Sequence, residues 1–176
     1  MANRYSVASG LASAVGTWDG GVSVPVSGDR VLISSGHTVT LDGDYQWGDD
    51  TGSTITINGV STTRSITIIG TLAHSRSVNS SLTGYGTISV RSGATYDAGT
   101  VASPIPLGVT ATVYVNRSAA MVTGKYLFEC LAGSRPTFCG VARKRWTTLT
   151  ATASVSATSV TVTDATGWQV GDLIQI

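Results

Sequence analysis

"SITIIGTLAHS", residues 65 to 75, decides how the chain is read. Ile66 and Ile68 flank a threonine, Gly70 follows at once, and Leu72 resumes the apolar pattern. The stretch therefore reads as a strand, a sharp corner and a second strand. The pattern recurs in "ITING" (55 to 59) and in "ISVRSG" (88 to 93), which runs on into "GATY" (93 to 96). Repeated strand-corner-strand units are the signature of a parallel β-solenoid, in which each coil offers strands to the coils on either side. Glycine turns such corners because it tolerates positive φ. An antiparallel β-sandwich is the alternative, kept open by Asn58-Gly59 and Asp42-Gly43, dipeptides that favour two-residue hairpin turns.

Further strands are read outward from this segment. They are "RVLI" (30 to 33), "HTVTL" (37 to 41), "STITI" (53 to 57), "SITII" (65 to 69), "GTISV" (86 to 90), "ATVYV" (111 to 115), "KYLFE" (125 to 129), "WTTLTA" (146 to 151), "SVTVT" (159 to 163) and "DLIQI" (172 to 176). Apolar residues do not recur at three- and four-residue spacing, and β-branched residues dominate each periodic stretch. The chain is all-β by this reading.

Composition narrows the function classes. The chain has 176 residues, enough for one domain with a substantial core, and 41% of them are hydrophobic. Charged residues make up 12%, about half the usual share of roughly 25%, and Ser, Thr and 21 glycines take their place. A net charge of +1 gives no long-range attraction to nucleic acid or to an anionic membrane. The opening "MANRYSVASGLASAVGTWDGG" lacks the continuous apolar core of a signal peptide, and no apolar run is long enough to span a bilayer. No export leader and no membrane insertion are expected.

The acids are one glutamate, Glu129, and nine aspartates. Their only cluster is "DGDYQWGDD", which places Asp42, Asp44, Asp49 and Asp50 around Trp47. Carboxylate oxygens suit a hard cation and an indole face suits a sugar ring, so these five residues are the candidate glycan or cation site. The competing reading is a solvated loop of turn-forming aspartates. No Gly-x-Ser-x-Gly elbow is present, and His37 and His74 read as turn or surface residues. The expectation is no catalytic residues, no cofactor and no resident metal. Cys130 and Cys139 flank a turn; they read as small core residues, with a disulfide as the alternative. "ARKRW" (142 to 146) is the sole basic run and reads as a solvated corner or subunit contact rather than a nucleic-acid site. Trp18, Trp146 and Trp168 are expected in core or corner packing.

A second internal echo links "PVSGDRVLI" (25 to 33) with "WQVGDLIQI" (168 to 176). Each has Gly-Asp ahead of alternating apolar positions, so Asp29 and Asp172 are read as turn residues that accept backbone N–H bonds. Together with "TWDGGVSVPVSGDRVLISSGHTVTLDGD" (17 to 44), "SITIIGTLAHS" (65 to 75), "GTISVRSGATYDAGT" (86 to 100) and "RWTTLTATASVSATSVTVTDATGWQVGDLIQI" (145 to 176), this texture resembles the eight-glycine domain and its following β-helix. That module occurs in fibrocystin-like receptors and hyaluronan-processing cell-migration-inducing proteins. The opening "MANRYSVASG", with "TWDGG" and "VPVSGD", resembles the start of many bacteriophage virion proteins.

These resemblances imply a right-handed parallel β-helix over residues 17 to 176, with residues 1 to 16 as an N-terminal arm or cap. In β-helices of this kind the closing motif is followed by further coils. Leu173, Ile174 and Ile176 are accordingly expected to form an assembly strand, continued by more chain or completed by a partner. The implied function is non-catalytic: a tail, fibre, baseplate or capsid-surface component, located in the virion after assembly in the host cytoplasm. The implied partners are other virion chains or further copies of this one, and a host-surface glycan. The alternative is a polysaccharide-binding or polysaccharide-cleaving module of the hyaluronan-processing type.

Overall fold

A computed structural model describes residues 2–49, 54–116 and 128–174. The strands fall in chain order into repeating groups. The first group is β1 (Asn3–Tyr5) and β2 (Gly10–Leu11), followed by two short 3-10 turns at Val15–Thr17 and Asp19–Gly21. The second is β3 (Arg30–Ile33), β4 (Thr38–Leu41) and β5 (Asp44–Trp47), after which β6 (Ile55–Ile57) and β7 (Val60–Thr62) form a hairpin. Then come β8 (Ile66–Ile68), β9 (Thr71–His74) and β10 (Ser80–Tyr85), and after them β11 (Ile88–Val90), β12 (Thr95–Ala98) and β13 (Ala111–Asn116). The last are β14 (Phe128–Cys130) and β15 (Arg135–Phe138). The all-β reading holds.

Corresponding strands of successive groups pair with one another. The sheet orders are β1-β3-β8-β11-β14, β2-β4-β9-β12-β15 and β5-β10-β13, and every pairing within them is parallel. Among the described strands only β6 and β7 pair antiparallel. An antiparallel sandwich is therefore not the arrangement of these sheets. Residues 2–16, read as an arm or cap, supply the end strands of two sheets.

In-register pairing places like residues over like. Val31, Ile66 and Ile88 align across β3, β8 and β11, with Ile33, Ile68 and Val90 one step along. Val39, Leu72 and Tyr96 align in the second sheet, and Tyr45, Leu82 and Val113 in the third. Most of these inward residues, with Ala12, Trp18 and Trp47, form a single buried cluster, against which Tyr45 and Val113 pack half-buried. Successive side chains of a strand point to opposite faces, so this alternation is what lets one face become core.

The repeated glycine motif has different physical causes at different positions. In "ITING", Asn58 (φ 46°) and Gly59 (φ 77°) make the two-residue turn of the β6–β7 hairpin, with Ile57 paired to Val60. That unit is a hairpin rather than a corner, because both turn residues adopt the left-handed region as such turns require. At Gly70, between β8 and β9, the cause is contact: an added Cβ would lie 2.2 Å from the Ser34 carbonyl oxygen and 2.4 Å from that of His37. Asp42-Gly43 joins β4 to β5 across two sheets and is no hairpin.

The echoed Gly-Asp turns match in structure. The Val26 N–H donates to Asp29 Oδ2 at 3.1 Å, and the Gln169 N–H donates to Asp172 Oδ2 at 2.8 Å. Each turn closes with the Asp N–H on the carbonyl three residues back, and Gly28 and Gly171 both have positive φ. The continuation differs. Arg30–Ile33 enters a sheet, whereas residues 172–174 are not in a strand. The strands expected at 146–151 and 159–163 reduce to an antiparallel bridge between Leu149 and Val162, with the Thr150 and Thr163 N–H groups bonded to Thr161 and Thr148. These Thr/Ser-rich segments are largely exposed, so no buried face fixes them onto the parallel sheets.

Gly70→Ala is expected to lower stability by more than about 2 kcal/mol, since backbone carbonyls cannot move aside. Gly36 has φ 78° and open space around it, so Gly36→Ala should cost only about 1 kcal/mol. Thermal unfolding of the two variants checks the ordering.

Candidate functional site

The acidic segment does not converge on one point. Trp47 is fully buried, edge-on to Trp18 with ring centroids 5.5 Å apart and 5.2 Å from Tyr45, so its indole face is core rather than a platform. Asp49 pairs with Arg30 at 2.6 Å, and that guanidinium side chain is only 3% exposed. Asp42 accepts the Ser13 hydroxyl at 2.5 Å, the Ser13 N–H at 3.2 Å and the Tyr45 hydroxyl at 2.6 Å. Burial disfavours its charge, but the bonds from Ser13 and Tyr45 outweigh burial and hold its pKa below the ordinary carboxylate value. Asp44 accepts the Ser81 hydroxyl at 2.6 Å on the outer face of β5. Asp50 lies outside the described residues. Among the described residues no three His, Cys, Asp or Glu side chains group as metal ligands would.

The remaining singled-out residues are placed as follows. Glu129 receives both Arg64 Nε (2.9 Å) and Nη2 (2.8 Å), plus the Ser89 hydroxyl (2.8 Å). Burial opposes its ionisation, and these donors overcome that and lower its pKa. Cys130 is exposed and Cys139 half-buried, both as free thiols, so neither is the core residue expected. Phe128, half-buried, packs edge-on against the core ring of Tyr96 at 5.2 Å, and Phe138 touches that ring at 5.6 Å while remaining 59% exposed. In the basic run, Arg143 pairs with Asp172 at 3.1 Å and Lys144 pairs with Asp164. Trp18 is core, with its indole N–H on the Ala12 carbonyl. Trp168 donates to the Lys144 carbonyl at a corner, whereas Trp146 is 73% exposed and not in packing of the kind expected.

His74 departs most from its sequence reading. It is buried in the second sheet, with Nδ1 2.8 Å from the Ser80 hydroxyl and Nε2 2.7 Å from the Tyr96 hydroxyl. Burial, reinforced by the charge of Arg76, lowers its pKa to about 4. A neutral ring bonded at both nitrogens and sealed from solvent is a core polar bridge, with no access for a substrate. Burial likewise raises the pKa of Tyr96 above its ordinary value.

The other histidine stands beside a cleft of about 550 Å³. Ser6, fully enclosed, organises this corner. The Ser34 N–H donates to Ser6 Oγ at 2.8 Å, the Ser34 hydroxyl donates to the Ser6 carbonyl at 2.7 Å, and His37 Nδ1 lies 3.1 Å from both Ser6 oxygens. Tyr5, Leu32, Val60 and Ile69 line the same space, with Ser35 and Asn58 at its exposed border. Ser6 and His37 are 31 residues apart, and no sequence motif joins them. No family model, curated protein or solved structure matches the chain.

Two measurements follow from these pairings. Unfolded histidine titrates near pH 6.5, so as pH falls the unfolded chain takes up a proton before His74 does. Stability that His74 contributes above pH 6.5 is therefore lost between pH 6.5 and about pH 4, by about 3 kcal/mol in all. Denaturant midpoints across that range should fall, and His74→Leu should remove most of this slope; an equal slope in the variant would contradict it. Asp49→Asn should lower the denaturant midpoint, by about 1–3 kcal/mol in stability, because the carboxylate 2.6 Å from the buried Arg30 guanidinium becomes neutral.

Proposed function

We propose that the chain is a right-handed parallel β-solenoid acting as a non-catalytic structural subunit of a bacteriophage particle, in a tail, fibre, baseplate or capsid-surface position. The observation that carries this reading is the set of three parallel ladders around one core, ending in strands with a single partner. Among the described residues β1, β2 and β5 at one end, and β13, β14 and β15 at the other, each pair on one side only. Unpaired strand edges are templates for another chain. Apolar surface accompanies them, with Phe138 on β15 59% exposed and Tyr114 on β13 57% exposed.

The particle itself is inferred from the resemblance of "MANRYSVASG" to the start of virion proteins and from a surface solvated by hydroxyls rather than charge. Leu173 and Ile174 fit an assembly contact: Leu173 is fully exposed and Ile174 is 52% exposed. Ile176, the third residue of that reading, lies outside the described residues. A polysaccharide-cleaving role finds less support, because Asp42, Asp97 and Glu129 are each engaged in local hydrogen bonds or ion pairs rather than facing one another across a groove.

Mass spectrometry of purified particles from the natural source should find the chain as a constituent at fixed copy number; its absence from particles overturns the assignment. Leu173→Asp should abolish association of the chain with itself or its particle partner in sedimentation experiments while leaving the melting temperature unchanged. Unaltered association in that variant would remove Leu173 from the contact.

A further inference from the structure

The cleft at the Ser6 corner has a chemistry that neither the assembly reading nor the acidic segment uses. Its volume, about 550 Å³, falls inside the range of roughly 300–1,000 Å³ usual for small-molecule sites. Its wall combines the Tyr5 ring with the aliphatic side chains of Leu32, Val60 and Ile69. Its border carries the Ser35 hydroxyl, the His37 imidazole and the Asn58 amide. No Asp, Glu, Lys or Arg lines it among the described residues.

Each part of this border is held in place by backbone-anchored geometry. Ser6 fixes the His37 ring through Nδ1, and Nε2 makes no hydrogen bond among the described residues. Asn58 is carried at φ 46° on a two-residue hairpin turn whose flanking residues, Ile57 and Val60, are paired. Ser35 follows Ser34, which is bonded twice to Ser6. A preorganised rim lowers the ordering cost of binding.

A ligand matching these groups has an apolar face for the tyrosine and aliphatic wall, and hydroxyls at its edge for the serine, imidazole and amide. It has no charge, since nothing in the wall would neutralise one once water is displaced. Pyranose rings have this division between a C–H face and O–H edges. We propose that the cleft lined by Tyr5, His37 and Asn58 binds a neutral saccharide. The site rests on no subunit contact, so it stands or falls separately from the assembly role.

The two histidines provide the assay, since their ring C–H signals can be followed by NMR while the intact chain is titrated with glucose, galactose, mannose and their neutral disaccharides. A saturable shift at His37, with the sealed His74 signal unmoved, is the expected result. Ser35→Ala and Asn58→Gly alter exposed side chains and keep the turn conformation accessible, so each should fold as the parent does. Each should weaken binding by about tenfold, the loss of one hydrogen bond to ligand. The proposal is overturned if no neutral sugar moves His37, if uronic or sulfated sugars bind more tightly, if short uncharged peptides move it and sugars do not, or if both variants bind as the parent does.

Discussion

Parallel, in-register backbone pairing is the constraint on which the rest of this structure depends. Once Val31, Ile66 and Ile88 are aligned by the ladder, each inward position must be filled by a residue that packs on its counterparts in the groups on either side. Side chains alternate between faces, so a slip of one residue would exchange core for surface along a whole strand. The same constraint acts at the corners. Gly70 is small because the backbone of the Ser34–His37 corner passes directly against it, and its N–H bonds to the Ile33 carbonyl of the neighbouring group.

Polar groups enter this scheme where a stack can satisfy them. Thr67 and Ser89, fully buried on the outer side of the first sheet, continue a row that ends at Glu129. Thr67 reaches Thr62 of the hairpin at 3.0 Å, and Ser89 reaches Glu129, which Arg64 holds from just beyond the hairpin. The hairpin therefore covers a face that would otherwise be the solvent side. His74 does the equivalent inside, joining Ser80 to Tyr96 where the aliphatic row is interrupted. A buried polar group bonded at every position adds specificity to the register, because a shifted strand would leave it without partners.

Much of this was legible in the chain. Strands at 30–33, 66–68, 88–90 and 111–115 follow from β-branched alternation, and the second strands after Gly70 and Gly93 follow from the apolar residue resuming two or three positions later. Asp29 and Asp172 were readable as turn acceptors because Gly-Asp states its own local geometry. What sequence could not supply was the environment of residues whose partners are remote. Trp47 among four aspartates resembles a binding loop until β5 is seen to face the core, and Asp49 resembles a free ligand until Arg30 is seen beside it. Asn58-Gly59 carried both a hairpin dipeptide and the pattern of the corner motif, and the pairing of Ile57 with Val60 decides for the hairpin.

The residues 142–174 illustrate why pattern alone does not make a ladder strand. They carry the same Thr/Val alternation and the same Gly-Asp turn as the sheets, yet Val155, Val170 and Leu173 are almost fully exposed. The turn forms because its hydrogen bonds are local, between Gln169 and Asp172. A ladder strand needs a neighbour already in register to receive it, and burial on that neighbour contributes roughly 25 cal/mol for each Å² of apolar surface removed from water. Residues 172–174 have no such neighbour among the described residues, so the same motif that at Asp29 leads into a buried strand leads at Asp172 to apolar side chains facing solvent. The difference between the two copies thus lies in what is adjacent to them rather than in the motif itself.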